Sequence, residues 1–103
     1  MSRYDFIATY IVASGRNGTI YVGSTSELHV RVSQHKNETF QGFTAKYCCK
    51  RLVWFEVHGD MAEAVRRERL IKHWLRAWKI KLIEDVNPEW RDLSEDWYEV
   101  SDL

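Results

Sequence analysis

Proline is nearly missing from this 103-residue chain, Pro88 being the only one. That scarcity argues against a linker-rich or disordered polypeptide. Cysteine is scarce too, and Cys48 and Cys49 are neighbours. Adjacent cysteines rarely bridge, and two thiols alone make a poor zinc site. They read as reduced thiols, with the cytoplasm as the expected location. No stretch approaches the ~20 apolar residues needed to span a bilayer, so no membrane association is expected. The segment Met1 to Asp5 carries an acid with no long apolar run behind it, which does not fit a signal peptide. Net charge is also lacking, with fifteen Lys and Arg against fifteen Asp and Glu.

That neutrality hides a division. Residues 1–83 hold fourteen basic and seven acidic side chains, a surplus of +7. Residues 84–103 hold Arg91 against eight acids, a balance of −7. A basic body with an acidic end is compatible with phosphate binding by the body, or with an ordinary solvated surface. Apolar residues make up 45% of the chain, including five Trp, five Tyr and four Phe. Such bulk supports one core, and the length leaves no room for a second.

Residues 6–13 are β-branched and aromatic, as in a strand. Asn17-Gly18 marks a hairpin, and residues 19–23 read as the returning antiparallel strand. Ser24 followed by Glu27 fits a capping box opening a helix over about 26–37, with Leu28 and Val32 facing the core. Residues 38–47 read as a loop or short helix, and 51–58 as a third strand. Asp60 is a plausible N-cap for a long helical segment to about Glu84, broken near Trp74. Met61, Val65, Ile71, Leu75, Trp78 and Leu82 trace its expected apolar stripe. Asn87-Pro88 ends the pattern. The order ββαβαα predicts a small α/β sandwich, a three-stranded, mostly antiparallel sheet flanked by helices. Residues 1–92 form the expected domain. Residues 93–103 form an acidic tail packed in part on it, with Trp90, Leu93, Trp97 and Tyr98 as possible anchors.

Some residues stand out chemically. Glu68 lies close to the apolar stripe, where a carboxylate needs a partner or a metal. A salt bridge to Arg31, Arg67 or Lys72 is one answer. A hydrated Mg²⁺, often held by one carboxylate plus waters and a substrate phosphate, is another. Tyr10 and Tyr21 sit in paired strands and share a face if the register allows. A free phenol has a pKa of ~10, so a base role needs a neighbouring cation or acceptor. Arg31 and His35 project from one side of their helix. A guanidinium can clamp a phosphate and an imidazole can relay a proton.

In this order the residues resemble the GIY-YIG nuclease domain, especially its small single-domain bacterial members, over roughly 6–92. Ala8-Thr9-Tyr10 corresponds to the first signature tripeptide, with Ala and Thr in place of Gly and Ile. Tyr21-Val22-Gly23 corresponds to the second. Arg31 with Gln34-His35-Lys36, then Gly42-Phe43-Thr44 with Lys46-Tyr47, follow as in that family. Arg67-Glu68 with Ile71-Lys72 matches the helix bearing its metal-binding glutamate. Trp78-Lys79 and Asn87-Pro88-Glu89-Trp90-Arg91-Asp92-Leu93 match the end of the single-domain group.

The resemblance implies an endonuclease that hydrolyses DNA phosphodiester bonds, in repair or recombination, leaving a 5′ phosphate and a 3′ hydroxyl. It implies Mg²⁺ or Mn²⁺ held by Glu68, and Arg31 neutralising phosphate oxygens. Tyr10 or Tyr21 would position or deprotonate the attacking water, with His35 tuning the tyrosine. Gly23, Lys46 and Asn87 are implied near the substrate. RNA stays open as a substrate. A nucleic-acid-binding module with weak or no catalysis is the first alternative. A protein-interaction module built on the Trp-rich end is the second.

Overall fold

The computed structural model describes residues 6–37 and 47–97. Two strands, β1 (Ala8–Ala13) and β2 (Ile20–Thr25), lead into helix α1 (Leu28–Lys36). Strand β3 (Arg51–Val57) and helices α2 (Met61–Lys72) and α3 (Arg76–Val86) complete the order ββαβαα. The sheet is antiparallel throughout, in the order β2-β1-β3. The hairpin turns where the dipeptide signal lies: Asn17 adopts φ 56° and the Gly18 amide donates to the Gly15 carbonyl.

As the central strand, β1 buries all six of its residues, because helices cover both faces of the sheet. Its side chains alternate. Ala8, Tyr10 and Val12 join Leu28 and Val32 of α1, with Leu52, Cys49 and Trp97, on one face. Ile11 and Ala13 join Val22, Val53, Trp54, Ile71, Ile83 and Trp90 on the other. Fully buried side chains such as Leu28, Leu52 and Ile71 each contribute about 1.5–3 kcal/mol of hydrophobic stabilisation. Thr9, the polar residue within this strand, is satisfied there. Its hydroxyl donates to the Ala64 carbonyl (2.8 Å) and meets His58 Nε2 at 3.0 Å, tying β1 to the first turn of α2.

A bulge between Ile11 and Val12 leaves Val53 extra on β3. The Val53 carbonyl accepts from Asn87 Nδ2 at 3.0 Å, which anchors the segment after α3. From there Trp90 is fully buried, its indole donating to Glu84, although its backbone takes the left-handed φ of 56° that bulky residues avoid. The chain continues along the body. The Leu93 amide donates to the Leu52 carbonyl, Lys36 pairs with Asp92, and Trp97 is buried beside Phe55. Trp90 and Trp97 are therefore packing anchors; Tyr98 lies outside the described residues.

Two local expectations are corrected. Ser24 does not cap α1, because β2 runs on through Thr25; Glu27 occupies the N-cap without a side-chain bond, and its amide takes Thr25 Oγ1 instead. The apolar stripe on the long helical segment is also out of phase. Ile71 is buried as expected, but Met61 is 36% exposed, and beyond the break after Lys72, which resets the helical phase, Leu75 and Trp78 are 64% and 55% exposed; Ala64 and Ile83 are buried instead. The break itself, and Asp60 as N-cap through its bond from the Glu63 amide, are as expected. No helix of the described residues is long and apolar enough to cross a membrane.

Candidate active site

The register of β1 against β2 builds the first part of the site. Tyr10 faces Gly23, and Val12 faces Tyr21, so the two tyrosines are diagonal neighbours on one face. Their ring centroids are 6.5 Å apart. Helix α1 packs on that face through Leu28, Val32 and His35, spaced four and three residues apart. That spacing delivers the His35 ring 5.6 Å from Tyr10 and 5.7 Å from Tyr21, closing a triangle of rings. Tyr10 Oη and His35 Nε2 share a buried 2.9 Å hydrogen bond whose direction follows the imidazole tautomer. Arg31 is one turn earlier on α1, and its charge reaches both groups.

Glu68 approaches from α2, around strand β2, which among the described residues pairs only with β1. Ser24, alternating away from Gly23, donates its hydroxyl to Glu68 Oε1. Lys72, four residues on, places Nζ 2.6 Å from Glu68 Oε2 and 5.6 Å from the centroid of the Tyr21 ring. The site thus wraps the β2 edge, with the three rings on one side and the carboxylate on the other, Lys72 between Glu68 and Tyr21, and Arg31 close enough for its charge to act on Tyr10 and His35.

The GIY-YIG catalytic domain matches residues 6–81 of this chain. The chain belongs to the GIY-YIG family. It is similar to UPF0213 protein SERP0126 of Staphylococcus epidermidis, 35% identical over 80 residues, covering 74% of this chain and 92% of that protein. It is also similar to UPF0213 protein SA0446 of Staphylococcus aureus, at 34% over 80 residues with the same coverages. A UPF0213 protein of Lacticaseibacillus paracasei is 31% identical over 75 residues, covering 73% and 84%. No solved structure matches.

Electrostatics divides the labour in this GIY-YIG domain. Burial, then the neighbouring Tyr21, raises the Tyr10 phenol well above its ordinary value, with Glu68 adding and Arg31 opposing. Tyr10 is 1% exposed and stays a neutral phenol. Burial, then the charge of Arg31, lowers His35 to about 4, so its imidazole is neutral near pH 7. Partial burial opposes ionisation of Glu68. The hydrogen bonds from Lys72 and Ser24, with the charges of Lys72 and Arg69, outweigh it and hold the carboxyl below its usual value.

Of the residues singled out in the sequence, Tyr10, Tyr21, Arg31, His35 and Glu68 converge. Gly23 lies directly against the Tyr10 ring. Lys46 lies outside the described residues. Asn87 stands apart, at the C-terminal end of α3, where it bonds to β3 on the far side of the sheet from β2. Both its amide donors go to carbonyls, of Val53 and Arg91, and its oxygen accepts from the Arg91 amide. Ser24 was missed because its spacing to Glu27 suggested a cap. Of the three partners that the sequence offered Glu68, Arg31, Arg67 and Lys72, the structure pairs it with Lys72, four residues on.

Proposed function

We propose that this protein is a divalent-metal-dependent endonuclease that hydrolyses phosphodiester bonds in DNA. One observation carries the reading: an ionised carboxylate and a neutral phenol–imidazole pair meet around the edge of β2, within reach of the charge of Arg31.

The residues present fit a divalent cation. Glu68 is ionised and already attracts a cationic group, the Lys72 ammonium, to Oε2. Among the described residues no three His, Cys, Asp or Glu cluster as a metal cage. An all-protein site is therefore not at issue; Glu68 would hold a Mg²⁺ or Mn²⁺ completed by water and phosphate oxygens. When bound, such an ion supplies Lewis acidity to the scissile phosphate.

The chain's own groups do the rest. Arg31 binds the non-bridging oxygens and offsets the charge that grows on them as water attacks phosphorus. Tyr10 is buried and neutral, which suits it to positioning. Tyr21 is half-buried and reaches the surface beside Lys72, which suits it to orienting the attacking water or accepting its proton. Neutral His35 fixes the Tyr10 ring and, through it, the Tyr21 face. Exposed Arg66 and Arg69 of α2 would supply phosphate contacts beyond the scissile bond. The expected setting is cytoplasmic repair or recombination, so the assay panel should hold duplex, nicked, flap, branched and single-stranded DNA, with RNA alongside.

The test is Glu68→Gln. It should abolish Mg²⁺-dependent cleavage while the melting temperature stays near that of the parent. Cleavage at the parental rate would assign the activity to another protein in the preparation.

One observation favours a second reading, a nucleic-acid-binding module without catalysis: both carboxylate oxygens of Glu68 already have partners within the chain. That reading requires salt-dependent binding with intact substrate after long incubation in Mg²⁺.

A further inference from the structure

Lys72 occupies the centre of the site without a role in the chemistry derived above. Its ammonium lies on Glu68 Oε2, the carboxylate oxygen not engaged by Ser24, and beside the Tyr21 ring. That is the ground where a cation on Glu68 and a phosphate facing Tyr21 would meet. Two cations cannot share one carboxylate oxygen at contact distance without strong mutual repulsion. The Lys72 side chain is 44% exposed, against 18% for Glu68. Its four-carbon stem can therefore swing outward while the carboxylate, held by Ser24, stays in place.

Resting on the nuclease reading, we propose that Lys72 is a transferable counter-ion. In the free protein it neutralises and aims Glu68. When a divalent cation takes Glu68 Oε2, the ammonium passes to a phosphate oxygen of the bound DNA strand. Lys72 is thus a substrate-binding residue in the loaded complex and a competitor of the metal in the free one. Its loss must tighten metal binding and must weaken DNA contact only when metal is bound, a dependence that a fixed surface charge does not show.

The experiment uses the full chain and needs no turnover. Mn²⁺ binding to the protein alone is followed by the loss of its free-ion EPR signal, for the parent, Lys72→Met, Lys72→Arg and Glu68→Gln. Lys72→Met should bind Mn²⁺ about tenfold more tightly, because a like charge has left the site. Lys72→Arg should not gain affinity. DNA binding is then measured against salt with a cleavage-resistant phosphorothioate duplex. With Mn²⁺ present, the log–log slope for Lys72→Met should be shallower than the parent's by about 0.9, one phosphate contact. With EDTA the two slopes should coincide, since Lys72 is then held on Glu68. Unchanged or weaker Mn²⁺ binding by Lys72→Met, in a protein of parental melting temperature, would overturn the proposal while leaving the nuclease reading intact. Parental Mn²⁺ binding by Glu68→Gln would instead remove the metal from Glu68, and both readings would fall.

Discussion

A Cβ at position 23 would lie 2.6 Å from both Cζ and Oη of Tyr10. The two residues face each other across β1 and β2, and the hydroxyl end of the phenol lies against the bare backbone of Gly23. The hydrogen bond to His35 depends on that placement. Gly23→Ala should therefore force the ring off its rotamer and break the Tyr10–His35 bond, at a cost of about 1–3 kcal/mol. The urea midpoint should fall, and cleavage should fall further than the stability loss explains. A variant with parental midpoint and parental rate would show that the ring has room to spare.

Ser24 offers a separable test. Its hydroxyl holds Glu68 Oε1 from the edge strand, and nothing in the core depends on it. Ser24→Ala should change stability by no more than about 1 kcal/mol. It should raise the Mg²⁺ concentration for half-maximal cleavage about 10–100-fold, the range for groups that orient a metal ligand. A parental metal requirement would mean that Lys72 alone aims the carboxylate.

The strands were legible because their signals are local. Residues 8–13 and 51–57 are β-branched and aromatic runs, and Asn17-Gly18 states its own turn. Gly23 and the tyrosines follow from that hairpin, since a tight turn fixes the register. The helical stripe failed at Leu75 and Trp78 because three residues between α2 and α3 rotate one helix against the other, and no spacing rule carries across such a break. Ser24 failed for another reason. Its sequence neighbourhood satisfied a cap, while its actual partner is 44 residues away. Thr9 is the same case, a polar residue in a central strand whose two partners lie in the β3–α2 connection and on α2. The convergence of Tyr10, His35 and Glu68 was legible through family pattern alone, because three elements from both sides of the sheet must meet to form it.

His35 gives the molecule a pH dependence of definite sign. Burial and Arg31 lower its folded value to about 4, below the ordinary 6.5. Between these values the unfolded chain binds the extra proton. Stability is therefore full above about pH 6.5 and is lost as pH falls toward 4, by at most roughly 3 kcal/mol. Asp92 and Glu68, both held below their ordinary carboxyl values, extend the loss to lower pH. In His35→Gln, which keeps a partner for Tyr10 Oη, the decline between pH 7 and 4.5 should flatten. Urea midpoints at the two pH values decide it; parallel declines in parent and variant would assign the proton to another group.

Asn87 tests whether position in the sequence or position in the fold governs a residue's role. The family pattern puts it near substrate. In the structure its amide bridges the bulge carbonyl of Val53 to both backbone groups of Arg91, and it is 4% exposed. Asn87→Ala leaves these three backbone groups to find new partners inside the protein. The cost should be about 2–4 kcal/mol, near one per lost bond. The urea midpoint should drop with an unchanged m value. The segment that seats Trp90 and Trp97 would loosen first, because Asn87 is its hinge on β3. Well below the melting transition, KM for DNA should stay close to the parent's. A raised KM in a protein of parental stability would return Asn87 to the substrate and place the nucleic acid across the β3 side of the sheet.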